Sequence, residues 1–236
     1  MKRSKRYRAL AGKITPDSQY PLAEAVEKLK QAATAKFDES VDVAVRLGID
    51  PKKQDQLVRG TVGLPHGTGK QVRVLVFCKG EKEDEARAAG ADYVGFEDLV
   101  ERIKEGWTDF DAAVATPETM SAVGRLGKIL APKGLMPSPK TKTVTPDVGL
   151  AVKALKAGRI NYRTDKTGNV HALVGKASFT PEMLADNVRA FVTELSRVKP
   201  ATAKGQYIRK VTLSSTMGPG VRVDVRDLIE TARKGA

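Results

Sequence analysis

Apolar residues recur along this chain in two rhythms, and the switch between them divides it. Val41, Val43, Val45, Leu47 and Ile49 occupy every second position, as do Val58, Gly60, Val62 and Leu64. Alternation of period two predicts strands with one buried and one solvated face. Their closeness in sequence predicts that these two pair antiparallel. The same rhythm returns after residue 159, where Ile160 and Tyr162, then Val170, Ala172 and Val174, flank Asp165-Lys166-Thr167-Gly168. Asp and Gly between alternating runs predict a hairpin. A last pair lies between Tyr207 and Val225: Val211 and Leu213 alternate with Thr212 and Ser214, and Val221 and Val223 with Arg222 and Asp224. Gly218-Pro219-Gly220 joins them, with glycine expected to supply unusual turn angles.

Helical stripes separate these strands. Leu22, Ala25, Val26 and Leu29 share one face after Pro21, with Asp17 or Ser18 as upstream cap candidates. Leu184, Val188, Phe191, Val192 and Leu195 form a second stripe after Thr180-Pro181-Glu182, a helix-start signature. A short helix is expected from Asp227. Residues 1–13 read as a basic arm, disordered until it meets a partner.

From Val72 the texture changes. Val72, Val74, Leu75, Val76 and Phe77 form a nearly continuous apolar run, as in a strand buried on both faces. Charged helical patterns then alternate with short apolar runs near Tyr93 and within DFDAAVATP. Thr116-Pro117-Glu118 predicts another helix start with Thr116 as cap, and Asp147–Ala157 a last helix ended near Gly158. Strands alternating with helices predict a parallel sheet covered on both sides. The fold expected is therefore an α+β domain formed by both chain ends (residues 1–67 plus 160–236), with an α/β, Rossmann-like three-layer domain (residues 68–159) inserted in it. Paired linkers near 66–70 and 156–160 make a natural hinge.

Charge sharpens this division. Among 236 residues the net charge is +13, which points to a polyanionic partner. Residues 1–67 carry +5, residues 68–159 +2 and residues 160–236 +6. If the ends form one domain, that domain is the anion binder. The apolar runs are too short for a membrane span, and the basic N-terminus lacks the apolar core of a secretory signal. Cys78 is the single cysteine, which excludes internal disulfides and cysteine-rich zinc sites. A reducing cytoplasm fits.

Candidate chemistry concentrates in three places. Thr212, Ser214 and Thr216 line up hydroxyls on one strand face beside Met217 and Gly218; this is either a solvated face or a low surface for another backbone. Phe37, just before a strand, is either a core plug or an RNA contact beside Lys36. Arg125, Lys128, Lys133, Lys140 and Lys142 spread along a Gly/Pro-rich loop, Gly124 to Val144, which is either an ordinary long loop or a second anion contact. Lys166 and His171 face an anion in one reading, but no second histidine stands near enough in sequence to make a metal pair.

Enzyme readings fare poorly. Gly67-Thr68-Gly69-Lys70 is not a phosphate loop, because Leu64 and Gln71 stand where Gly and Ser or Thr are required. The middle domain lacks GxGxxG, and no nucleophile–base pair surrounds Cys78. A membrane-surface reading would rest on charge alone.

The segments KFDES, GIDPKKQDQLVRGTVGLPHGTGK, GRLGKILAPKGLMPSPK, DKTGNVHALVGKASF and TMGPGVRVD together resemble the bacterial L-one family, the stalk proteins of the large ribosomal subunit. The resemblance runs from about residue 5 to 226. It implies the inserted topology, no enzymatic activity, no cofactor and no metal. The implied partners are 23S rRNA at the mobile stalk near the exit site, departing deacylated exit-site tRNA, the messenger of the protein's own operon, and other large-subunit components, in a cytoplasmic, ribosome-bound protein. Lys36, Phe37, Thr216, Met217 and Gly218 match the family's RNA-contact motif. Ser40, Asp165, Lys166, Thr167 and Ser214 match flanking contacts, with serine at 40 and 214 where the family often has threonine. Arg125, Lys128, Lys133, Lys140 and Lys142 remain a secondary RNA contact.

Overall fold

A computed structural model describes residues 3–15 and 18–234. In chain order the first elements are α1 (Lys5–Ala11), α2 (Leu22–Ala32), β1 (Ser40–Leu47) and β2 (Arg59–Gly63). Next come β3 (Val74–Phe77), α3 (Glu81–Ala88), β4 (Tyr93–Gly95), α4 (Glu97–Lys104), β5 (Ala112–Ala115), α5 (Met120–Val123), α6 (Gly127–Leu130) and α7 (Val148–Lys156). The chain finishes with β6 (Arg159–Arg163), β7 (Asn169–Lys176), α8 (Pro181–Arg197), β8 (Ile208–Ser215), β9 (Val221–Val223) and α9 (Val225–Lys234). Residues 1–69 with 160–236 form one compact unit, and residues 70–159 another.

The first unit is built on a four-stranded antiparallel sheet, ordered β7-β1-β8-β9. Val41, Val43, Val45 and Leu47 point inward from β1, and Val211 and Leu213 from β8. They meet the α2 stripe (Leu22, Ala25, Val26, Leu29) and the α8 stripe (Leu184, Val188, Phe191, Val192, Leu195) in one core. Each fully buried side chain of this size contributes about 1.5–3 kcal/mol over exposure, so alternation in phase with two helix stripes fixes the register. Helix α8 starts as its sequence requires: the Thr180 hydroxyl accepts from the Met183 amide, with Pro181 in the first turn. The other face of the sheet carries Ser40, Asp42, Arg46, Lys210, Thr212 and Ser214.

Several expectations change here. Strand β2 pairs with β6 in a separate two-stranded sheet, and β1 takes β7 and β8 as neighbours instead. Likewise β6 and β7 are not a hairpin ladder; a single bridge, Thr164 to Val170, closes their connection. Lys5–Ala11 of the basic arm is helical, capped by Ser4, whose hydroxyl accepts from the Tyr7 amide, and anchored by buried Leu10. Asp17 lies outside the described residues, and α2 begins at Leu22 with Pro21 in the cap position, where no cap side chain bonds the first turn. Helix α9 begins at Val225, two residues before Asp227.

The second unit has a three-stranded parallel sheet, ordered β4-β3-β5, with β3 central and wholly buried. Its side chains divide by parity. Leu75 and Phe77 pack with Leu99, Ile103, Leu126 and Leu130 on one face. Val74, Val76 and Cys78 pack with Ala86, Val148, Val152 and Leu155 on the other. Burial pushes the Cys78 thiol up to about 11, so it is an inert core residue. Thr116 is not a helix cap: it is buried, its carbonyl accepts from the Thr119 amide, and α5 starts three residues later than the sequence signature predicts. Residues 124–130, expected as loop, form a 3-10 turn running into α6.

Candidate nucleic-acid interface

The exposed edge of the first unit is made where β1 begins and β8 ends. Thr216 continues β8 past Ser215, and its amide donates to the Ser40 carbonyl at 3.1 Å. Its hydroxyl accepts from the Ser40 amide at 2.9 Å and lies 3.3 Å from the Ser40 carbonyl. A side chain expected to face RNA thus closes the β1–β8 ladder. The Ser40 hydroxyl accepts from the Lys176 ammonium at 2.9 Å, which places a cation at the same edge.

On either side of this ladder end stand two exposed apolar side chains. Phe37 is 55% exposed and Met217 48%, among the few large apolar side chains left in water. Phe37 is therefore not a core plug. Lys36 beside it is exposed, and the Arg6 guanidinium lies 3.5 Å from the Met217 carbonyl oxygen. Both acids of the same stretch are engaged by neighbouring donors, Asp38 at the surface and Glu39 beneath it. Asp38 accepts from the Ser178 amide and hydroxyl at 3.0 and 2.9 Å. Glu39, 1% exposed, accepts from the Ala35 amide at 2.9 Å and the Met217 amide at 3.0 Å. Burial by itself would raise the Glu39 pKa, but the Met217 and Ala35 amides outweigh it and hold it below the ordinary value.

The Gly218-Pro219-Gly220 connection works differently from its sequence expectation. Neither glycine has a positive φ. They are used for proximity: a Cβ on Gly218 would stand 2.4 Å from the Ser215 hydroxyl oxygen, and one on Gly220 3.0 Å from a Thr212 methyl. Ser214 sits across from Asp42 on the polar face, two residues in from Thr216. Loss of hydration pushes the Asp42 carboxyl up, against the pull of His171 and Lys176.

Asp165, Lys166 and Thr167 are elsewhere. Gly168 accepts from the Leu47 amide, and Asn169 pairs with Arg46, so this loop sits at the far end of β1. Six residues of strand, roughly 20 Å at about 3.3 Å each, separate it from Ser40. The Asp165 carboxylate is committed internally, accepting from the Asn169 amide at 2.7 Å and from the Thr167 amide and hydroxyl at 2.8 Å. Those donors, the Asn169 amide first, hold its pKa far below the carboxylate range. Lys166 projects from the loop into solvent. His171 lies 3.7 Å from the Asp165 carboxylate.

In the second unit Arg125, Lys128, Lys133, Lys140 and Lys142 are all exposed, and none is in an ion pair among the described residues. Lys142 has φ +50°, a left-handed backbone at a non-glycine residue. The Thr141 and Thr143 hydroxyls, 2.9 Å apart, hold that turn by bonding each other and the Ser138 carbonyl. Lys133 is held by the Thr108 hydroxyl. Among the described residues no group of three His, Cys, Asp or Glu is placed to bind a metal ion, and no helix is long and apolar enough to cross a membrane.

Residues 29–219 match the ribosomal protein L1p/L10e family. The chain belongs to that family. It is 57% identical over 233 residues to the large ribosomal subunit protein uL1 of Thermobifida fusca, covering 99% of both chains. It is 60% identical over 227 residues to the uL1 protein of Bordetella pertussis, covering 96% of this chain and 98% of that one. A third relative, from Cutibacterium acnes, is 58% identical over 224 residues, covering 95% and 97%. As a member of an L1p/L10e ribosomal-protein family, the chain is not an enzyme.

Within this L1p/L10e chain one residue escaped the sequence reading. Glu39 lies in KFDES yet received no role, although the signal was present: residues 39, 41, 43, 45 and 47 share one parity, and that parity faces the core. A carboxylate on a buried parity needs donors, and Ala35 and Met217 supply them.

Proposed function

We propose that this protein is a structural constituent of the large ribosomal subunit that binds 23S rRNA through the Ser40–Thr216 edge of its first unit. The fuller architecture of the reading is an α+β domain of both chain ends carrying an inserted Rossmann-like α/β domain. One observation carries the interface: Phe37 and Met217, both about half exposed, flank a ladder end where Glu39 is buried and the exposed Asp38 carboxylate is taken up by the Ser178 amide and hydroxyl. Apart from the Asp38 carboxylate, held by Ser178, the surface left outside is apolar, cationic and rich in peptide groups. Folded RNA offers ribose 2′-hydroxyls, phosphates and unstacked bases, which such a surface suits. Lys36 and Lys176 serve phosphates. Ser40, Ser214, Thr216 and Gly218 shape the edge.

The relatives' name supports the large-subunit assignment. In the wider reading the protein forms the mobile stalk near the exit site, assists release of deacylated tRNA and represses its own operon by binding the messenger, in the cytoplasm and on the ribosome. Arg125, Lys128, Lys133, Lys140 and Lys142, with Asp165, Lys166 and Thr167, are assigned to secondary RNA contacts, of which the lysines and arginine make the charge contribution.

A salt titration tests the interface. The protein is bound to the stalk-base fragment of 23S rRNA and to a scrambled duplex of equal length. Preference for the fragment with a shallow salt slope is expected, because apolar and peptide contacts release few counterions. Equal binding to both, lost together as salt rises, leaves only a basic protein. Competition by the operon's own message and by deacylated tRNA tests the remaining partners.

A further inference from the structure

The geometry points to Glu39 as the positioning residue of the RNA-binding edge, a buried carboxylate that holds the Phe37 loop and the Met217 turn in their binding arrangement before RNA arrives. This rests on the interface assigned above. Ala35 and Met217 lie on segments 182 residues apart in the chain, and each donates its backbone amide to a different oxygen of the same carboxylate, at 2.9 and 3.0 Å. The Glu39 carbonyl accepts from Ala177 at 2.8 Å, which ties the same residue to the end of β7. Three segments therefore converge on one residue, two of them on its carboxylate.

Electrostatics make this placement informative. An acid directly beneath a surface that receives a polyanion opposes binding, and burying it costs hydration as well. Such a group is kept for what it holds. Charge-assisted hydrogen bonds from backbone amides are about twice as strong as neutral ones, and two of them fix two peptide planes. The consequence reaches the exposed residues through the chain: Phe37 is two residues from both Ala35 and Glu39, and the Met217 side chain leaves the residue whose amide is held. With both loops ordered in advance, less conformational freedom is lost on binding. Ser40 and Thr216 close the ladder next to it, so the carboxylate and the Thr216 hydroxyl brace the edge from its two sides.

Glu39→Gln is the test, in the full-length protein. The amide side chain keeps the shape and one acceptor but replaces the second with a donor, facing the amide of Ala35 or Met217. Hydrogen exchange at the Ala35 and Met217 amides is measured without RNA, and affinity is measured with the 23S stalk-base fragment. Val188→Ala, in the helix core away from this edge, serves as a variant destabilised without touching the site. The expected result is faster exchange at one or both amides and affinity weaker by about tenfold or more, while Val188→Ala keeps the parent affinity. Parent-like affinity for Glu39→Gln overturns the assignment and leaves the RNA interface standing. So does an affinity loss that Val188→Ala shares in proportion to its lost stability, because Glu39 would then act only through folding. Failure of the parent protein to prefer the fragment removes the interface itself, and Glu39 with it.

Discussion

The Thr216 hydroxyl and the Ser40 amide are joined by a 2.9 Å hydrogen bond across 176 residues of chain. This side chain, the most exposed hydroxyl of the β8 face, thus spends its strongest acceptor direction on β1. One lone pair remains for RNA. Its principal work is to end the ladder squarely.

Thr216→Val should therefore lower folding stability by about 1–2 kcal/mol, because the Ser40 amide loses its partner at a partly covered position. RNA affinity should fall with it, while Thr216→Ser retains most of both. Urea denaturation beside fragment binding checks this. An unchanged midpoint for Thr216→Val would mean that the hydroxyl does not support the ladder.

Phe37 predicts the opposite pairing of effects. More than half exposed, it contributes little packing, and Phe37→Ala should change stability by less than about 0.5 kcal/mol. Base stacking on an aromatic is worth about 1–3 kcal/mol, so fragment affinity should drop by roughly five- to a hundredfold. Retained affinity would remove Phe37 from the interface.

Acid sensitivity of the second unit should centre on Asp111. The Lys70 ammonium bonded to it, aided by the Arg73 amide and guanidinium, holds its pKa at about 2, below the ordinary 3.8. A depressed carboxyl stabilises the fold above its unfolded pKa and loses that contribution as pH falls through the folded value. Screened at this half-open site, the contribution is about 1–2 kcal/mol. Asp111→Asn should be less stable than the parent at pH 7, and the difference should vanish between about pH 4 and pH 2. Denaturation midpoints across that range check the sign.

Much of this was legible in residues. Alternation at Val41, Val43, Val45 and Leu47, and the α2 and α8 stripes, named the core correctly because burial acts on each residue's own face. Partner choice was less accessible: β1 ignores nearby β2 and takes strands from the far end of the chain, which local pattern does not encode. Glycines 218 and 220 announced a tight place but not its kind, since backbone angle and close approach demand the same residue. Hydroxyls were harder still. Thr216 and Thr167 carry the group expected of a contact, yet both point it at their own chain, and Asp165 likewise turns into its loop. Glu39 was readable by parity alone.

The order in which strands leave the ribosome matters for a sheet of this connectivity. Strand β1 is complete at Leu47, while its neighbours begin at Asn169 and Ile208. At about 5–20 residues per second, synthesis of the roughly 120 residues up to the first neighbour takes about 6–24 s, with both edges of β1 unpaired. The unit from 70 to 159 has all three of its strands within that interval. Thr216 and Met217 follow β8, the later of the two neighbours of β1. Until β8 is made, a nascent copy therefore lacks the Ser40–Thr216 edge, and with it the RNA site proposed above.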